Sequence, residues 1–235
     1  MTEIAATTRL VALLGHPVAH SLSPRMQNAA FAAAGLDWAY VALDIAPEHL
    51  ETAVRGLAAA GFAGANVTIP HKTAAARLCD EADGDSVNTL VFTGGTIAGF
   101  NTDKEIVAGI DARVVCLIGA GGSAAALLPG LHGEVRQFSR RGAWPPDAEG
   151  CDLIVNATPV RDELLVEPHA GQTVVDLAYA ADAGATALVA AARAAGCDVV
   201  DGREALVRQG AASFERWTGV AAPVAVMRAA LGLPG

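Results

Sequence analysis

The sequence predicts an α/β protein built from two successive strand–helix alternations. Three observations carry this. Short apolar runs end in Gly, Pro or polar clusters, as buried strands do. Between them lie segments with apolar residues at helical spacing. A second set of such runs begins near Arg113, and its first strand is followed by the turn Gly119-Ala120-Gly121-Gly122-Ser123-Ala124. Strand–helix alternation argues for a mostly parallel sheet covered by helices.

Arg9 to Gly15 is the first expected strand. Ser23-Pro24 should open a helix to about Ala34, with Ser23 as its cap and Gly35 ending it. Trp38 to Ile45 is a second strand. Pro47 and Glu48 start a helix whose Leu50, Val54 and Leu57 share a face. Ala65 to Ile69 is a third strand, with Lys72 on the helix that follows. Val87 to Phe92 and Thr96 to Phe100 flank Gly94-Gly95, a hairpin signal. Asp103 should begin a helix containing the boundary between the two parts. Further strands are expected at Val114 to Ile118, Val135 to Phe138, Leu153 to Asn156, Val174 to Leu177 and Val199-Val200, with a helix from about Thr186 to Ala195. Leu206, Val207, Gly210, Phe214 and Trp217 mark one face of a tail helix, and Pro223 starts a last short one.

The bulk properties narrow the function. The 235 residues are 52% hydrophobic and 17% charged, which allows a sizeable core and excludes a disordered chain. A net charge of −9 argues against nucleic-acid partners. Cys79, Cys116, Cys151 and Cys197 are far apart and show neither metal spacing nor a disulfide framework, so buried free thiols and no metal are expected. Met1 to Arg9 lack a signal-peptide pattern and no apolar run reaches about 20 residues, so a cytoplasmic protein without membrane contact is expected.

The glycine turn fits G-x-G-x-x-A between strand and helix. Gly119 permits the tight turn, Gly121 lets backbone approach a pyrophosphate, and Ala124 allows close helix packing. The helix start adds free N–H groups for phosphate. An NAD-binding chain would carry an acid about 20 residues on, for the ribose 2′-hydroxyl. Here the position reads Ser139-Arg140-Arg141. Guanidinium pairs with phosphate, which favours NADP, unless both arginines only decorate a solvated loop.

In the first part, polar groups concentrate at strand ends. Ser21 and Ser23 alternate beside a helix start and suit a carboxylate. Asn66 and Thr68 share a strand face, Lys72 follows, Asn88 lies in the partner strand, and Asn101-Thr102-Asp103 follows the hairpin. Singly, Ser23 and Asp103 could be caps and Lys72 a surface lysine. Together they fit a ligand site at carboxyl ends of strands.

These motifs resemble the shikimate dehydrogenase family: GHPVAHSLSP at 15–24, GANVTIPHK at 64–72, VNTL at 87–90, GFNTD at 99–103, LIGAGGSA at 117–124, VNAT at 155–158, DLAY at 176–179 and DGREALVRQGAASFERWTG at 201–219, in the family's order. The resemblance implies an N-terminal αβα substrate domain over 1–104, a Rossmann NADP domain over 105–205, and tail helices over 206–235 returning to the first. It implies reversible reduction of 3-dehydroshikimate to shikimate with NADPH, in aromatic amino-acid biosynthesis. Lys72 and Asp103 would be the catalytic pair. Ser21 and Ser23 would hold the carboxylate. Asn66, Thr68, Asn88 and Gln209 would hold ring hydroxyls, and Tyr179 would lie near the substrate. Gly119 to Ala124, Ser139, Arg140 and Arg141 would bind the dinucleotide, and Leu177 and Gly202 would lie near its nicotinamide. The small-molecule partners would be shikimate and 3-dehydroshikimate, in a monomer or homodimer.

The chain departs from the family in places. Only ten residues separate Arg141 from Asp152, where the family has a strand and flanking helices; Pro145 and Pro146 also oppose a helix. A shortened Rossmann sheet lacking an outer strand is therefore expected. Arg140 fits the family's Asn-Arg-Thr arginine, but its flanks differ. Lys104 stands where Gly is common, and Ala180 and Ala181 replace a proline-containing turn. A paralogue acting on quinate or an aminated shikimate is an alternative that Ser23 disfavours. A non-catalytic ligand sensor is another, opposed by retention of Lys72 and Asp103.

Overall fold

Strands buried on both faces need continuous apolar runs, and Leu10 to Leu14 and Val114 to Ile118 are such runs. A computed structural model describes residues 4–179 and 184–234; Ala180 and Ala181 lie outside the described residues. The chain forms two units, one running to Thr102 and resuming at Gln209, the other spanning Asp103–Arg208.

In the first unit, β1 (Arg9–Gly15) is buried from Val11 onward. It pairs in parallel with β2 (Trp38–Asp44) on one side and β3 (Gly64–Val67) on the other. Beyond β3 the sheet turns mixed. β5 (Thr89–Thr93) runs antiparallel to β3, β6 (Thr96–Phe100) antiparallel to β5, and the two-residue β4 (Glu81–Ala82) parallel to β6. The order is β2-β1-β3-β5-β6-β4. Gly94 and Gly95 both have positive φ, +58° and +87°, as a two-residue hairpin turn whose twist matches the strands requires. The helices are α1 (Ser23–Ala33), α2 (Leu50–Ala59) and α3 (Lys72–Ala76).

The second unit holds β7 (Val114–Ile118), α4 (Gly122–Leu127), β8 (Glu134–Phe138), β9 (Leu153–Asn156), β10 (Thr173–Asp176), α5 (Ala187–Ala194) and β11 (Asp198–Val200). All pairings are parallel, in the order β11-β10-β9-β7-β8. Side chains alternate across it: Val115 and Leu117 enter one core, Cys116 and Ile118 the other. Residues 139–150 form no strand, so β8 is an edge, as the short crossover predicts.

The tail forms α6 (Gly202–Thr218) and α7 (Val224–Ala230). In the first unit, Trp217 Nε1 donates to the Leu90 carbonyl at 2.9 Å, and Phe214 stacks on Phe31 with centroids 5.4 Å apart. Gly64 makes this docking possible, because a Cβ there would lie 2.2 Å from Leu90 O and 2.5 Å from Trp217 Nε1.

Several expectations need correction. Ser23 is not a cap: it is the first residue of α1, Leu22 takes the cap position, and no side chain caps the end. The helix expected from Asp103 is only a 3-10 turn, Asp103–Ile106, cut short by Gly109 at φ +75°. The unit boundaries fall at Thr102/Asp103 and Arg208/Gln209. Arg208 Nη1 donates to Ile106 O at 3.0 Å, which ties the first turns of α6 to the second unit. Of the four free cysteines, Cys116 and Cys151 are buried, whereas Cys79 and Cys197 are half-buried. Burial pushes the Cys116 thiol up to about 12 and Cys79 up to about 11, so neither is a nucleophile near neutral pH. No described helix is long and apolar enough to cross a membrane, and no described cluster could hold a metal.

Candidate active site

The hydroxyl pair forms where β1 ends. Ser21 Oγ donates to Ser23 Oγ at 3.2 Å, and the Ser23 N–H points to Ser21 Oγ at 3.3 Å. Gly15 admits the neighbouring strand end, since a Cβ there would meet Thr68 Cγ2 at 2.5 Å. Thr68 lies just past β3, its N–H bonded to Leu14 O at 2.9 Å. The next turn is fixed by buried His71, whose Nε2 meets Ile45 O at 2.7 Å. Lys72 then opens α3, half-buried, with its carbonyl held by Val87 N–H at 3.2 Å.

Asn88 and Gln209 are 121 residues apart in sequence yet meet, Asn88 Nδ2 donating to Gln209 Oε1 at 3.2 Å. Asn88 Oδ1 accepts from the N–H and hydroxyl of Thr102 at 2.8 and 3.0 Å, which aims its amide. Asn66 is more committed than the resemblance implies. Its NH2 donates to Asn88 O, Thr89 Oγ1 and Ser213 Oγ, and its Oδ1 accepts from Tyr40 OH at 2.8 Å. An amide offers two N–H donors, so Asn66 chiefly holds this network together. Thr89 and Ser213 escaped sequence reasoning, and Thr102 entered it only as part of the Asn101-Thr102-Asp103 cluster. A signal existed for Ser213: it stands four residues after Gln209, a polar pair beside the apolar stripe of α6.

In the second unit, Gly119 has φ +124° and packs on the chain after β9, where a Cβ would meet Ala157 O at 3.2 Å. Gln137 Nε2 holds its carbonyl at 2.8 Å. A Cβ on Gly121 or Gly122 would meet nothing within 4 Å, so the turn faces open space. That space is a cavity of about 430 Å³ lined by Gly119 to Gly121, Ser139 to Arg141, Trp144, Thr158 to Val160 and Leu165. Its size suits a small ligand, and its bare backbone and two guanidinium groups suit phosphates. A dinucleotide carrying an extra phosphate fits this donor set.

Six predicted cofactor residues line the cavity; Gly122, Ser123, Ala124, Leu177 and Gly202 do not. Ala124 is fully buried against the sheet, its expected packing role, and α4 is only six residues long. Gly202 is needed where α6 begins, because a Cβ would lie 2.6 Å from Ala178 O. Trp144 and Thr158 were missed as lining residues. Thr158 is positioned by Asn156 Oδ1, which accepts from its N–H and hydroxyl at 3.0 and 2.7 Å. Asn156 Nδ2 in turn donates to buried Asp176 at 2.9 Å. Burial raises the Asp176 carboxyl, while hydrogen bonds from Thr186, the Ala178 N–H and Asn156 work against the rise. Asp103 is buried in the second unit, and Tyr179 is half-buried after β10.

Comparison with known proteins points to one family. Residues 13–90 match a family model described as the shikimate dehydrogenase substrate binding domain, and residues 202–231 match the shikimate 5′-dehydrogenase C-terminal domain. A shikimate dehydrogenase (NADP(+)) of Anaeromyxobacter dehalogenans is 40% identical over 274 aligned positions, covering 97% of this chain and 97% of the relative. That alignment is longer than this chain, so the relative carries residues lacking here. One from Rubrobacter xylanophilus is 39% identical, covering 99% of each chain. The crystal structure of the Thermus thermophilus shikimate 5-dehydrogenase, in complex with NADP(H) and shikimate, superposes with a TM-score of 0.84 at 30% identity, covering 96% of this chain and 99% of that one. Full-length identity at this level, on the same fold and with the motifs in the same order, shows that the chain belongs to the shikimate dehydrogenase family.

Proposed function

We propose that this chain is an NADP-dependent shikimate dehydrogenase, reducing 3-dehydroshikimate reversibly to shikimate on the route to aromatic amino acids. The observation that carries the reading is the match to NADP-dependent shikimate dehydrogenases over nearly the whole chain. Two local findings support it: the paired hydroxyls of Ser21 and Ser23, and the meeting of Asn88 with Gln209.

In this reading Ser21 and Ser23 donate hydrogen bonds to the substrate carboxylate. Thr68, Asn88 and Gln209 bind ring hydroxyls, Asn66 fixes their frame, and Tyr179 stands near the substrate. Gly119 to Gly121 would hold the pyrophosphate of NADP, and Arg140 and Arg141 its 2′-phosphate. When bound, the cofactor supplies the hydride that reduces the ketone carbon. Negative charge then develops on the ketone oxygen, and the Lys72 ammonium stabilises it and delivers the proton. Lys72 regains a proton from solvent. Asp103 accepts a hydrogen bond from a substrate hydroxyl. We read the protein as a cytoplasmic enzyme with small-molecule partners, active as a monomer or homodimer.

The test mixes purified protein with shikimate and NADP+ or NAD+ and follows reduced nicotinamide by its near-ultraviolet absorbance. Rapid reduction of NADP+ is expected. Faster turnover with quinate than with shikimate would replace the substrate assignment, and no reduction with shikimate, quinate or aminated analogues would overturn the enzyme reading.

A further inference from the structure

We infer that Glu163 weakens this chain's preference for NADP over NAD by competing with the 2′-phosphate for Arg140. The inference rests on the NADP reading above. By sequence, the acid that would bind a ribose 2′-hydroxyl is missing after β8, and Ser139-Arg140-Arg141 stands there instead. The fold returns a carboxylate to the same place from another loop. Glu163 lies 23 residues from Arg140, on the segment after β9, and its Oε2 is 3.3 Å from Arg140 Nη2.

Arg140 is held from a second side. Its guanidinium sits over the Trp144 ring, 5.5 Å from the centroid, within cation–π range. Trp144 comes from the shortened crossover, where Ser139 N–H bonds to Ala143 O at 2.9 Å and folds the loop back. Arg140 and Trp144 both line the cavity beside the glycine turn. Thus Arg140 is presented to the cavity already bearing an anion.

The pair is exchangeable. The side chains of Arg140 and Glu163 are 66% and 61% exposed, so solvent screens their attraction. A phosphate carries more charge than a carboxylate and can take guanidinium in two hydrogen bonds. NADP therefore displaces Glu163 from Arg140, and the freed carboxylate remains nearby as a like charge. NAD needs no such exchange, and Glu163 can accept a hydrogen bond from its 2′-hydroxyl.

The experiment is calorimetric titration of NADP+ and of NAD+ into the full-length protein and its Glu163→Gln variant at one fixed salt concentration. Glu163→Gln should bind NADP+ about two- to fivefold more tightly, the scale of an exposed ion pair, with NAD+ unchanged or weaker. Glu163→Asp, which keeps the charge, should lie between. In an Arg140→Ala background the gain should shrink, because competition for the shared guanidinium is lost and only the like-charge repulsion is left; an undiminished gain overturns the inference. Unchanged NADP+ affinity in Glu163→Gln, or an equal gain for both cofactors, overturns the inference while the proposed function stands. Failure of the unsubstituted protein to bind either cofactor overturns the proposed function, and this inference with it.

Discussion

Lys72 illustrates how little of a residue's role is visible in the residue itself. As a lysine opening a five-residue helix it is ordinary; its meaning comes from the strand end before it and from the family motif around it. If it donates the proton, Lys72→Ala should lower turnover about 10²- to 10⁴-fold. Shikimate affinity, measured by calorimetry, should change far less. Near-normal turnover would remove the assigned role. Ser213 is a second test at this scale. Its fully buried hydroxyl receives a hydrogen bond from Asn66, shares one with Thr89, and donates to Gln209 O at 3.0 Å. Asn66 keeps two other acceptors when it is lost, so Ser213→Ala should cost only about 1 kcal/mol in denaturant unfolding. It should also raise the KM for shikimate, because Gln209 loses a partner of its frame.

At the scale of elements, α6 depends on glycines that permit contact. At Gly64 an added methyl would strike a backbone carbonyl and the indole that docks the helix. Neither can move aside cheaply, since Leu90 O accepts the Trp217 N–H. Gly64→Ala should therefore destabilise the protein by at least about 1–3 kcal/mol, the usual cost of overpacking. A midpoint of chemical denaturation equal to that of the unsubstituted protein would show that the helix docks otherwise. The start of α6 rests on Asp201, whose Oδ1 accepts from the N–H groups of Arg203 and Glu204 at 3.1 Å each. Asp201→Ala should cost about 0.5–2 kcal/mol in the same measurement, as other lost caps do.

For the whole molecule, the response to acid depends on which carboxyls the fold favours as ions. Hydrogen bonds from the Arg113 guanidinium and N–H and from the Val114 N–H hold Asp152 below the usual carboxylate range, and the hydroxyls of Thr8 and Thr7 do the same for Asp37. A depressed folded value means stability that is present above the unfolded value, about 3.9, and is lost as pH falls through the folded one. Asp176 has the opposite sign: burial raises it, so its contribution is present at low pH and lost as pH rises through its folded value. The thermal midpoint should thus fall on acidification below the carboxylate range, and Asp152→Asn should make that fall shallower. An unchanged slope would assign the acid response to other groups.

Much of this protein was legible before any fold was seen, for a local reason. Strand runs, the Gly94-Gly95 turn, the Gly119 turn and the absence of a strand after Arg141 depend on neighbours within a few residues, and sequence displays neighbours. The serine pair was legible because its members stand two residues apart. Ser23 is not the cap because α1 begins one residue earlier than the Ser-Pro signal implies, and helix starts read from sequence shift by a residue or two. Other features had no local trace. The Asn66 network joins residues 147 apart, and Glu163 reaches Arg140 from a different loop. The order of elements, the glycine turn and the family could be read from the residues in chain order alone. Which polar groups spend their hydrogen bonds on each other, and which arginine carries a counter-ion, emerged with the folded chain, because those choices depend on segments that meet only after folding.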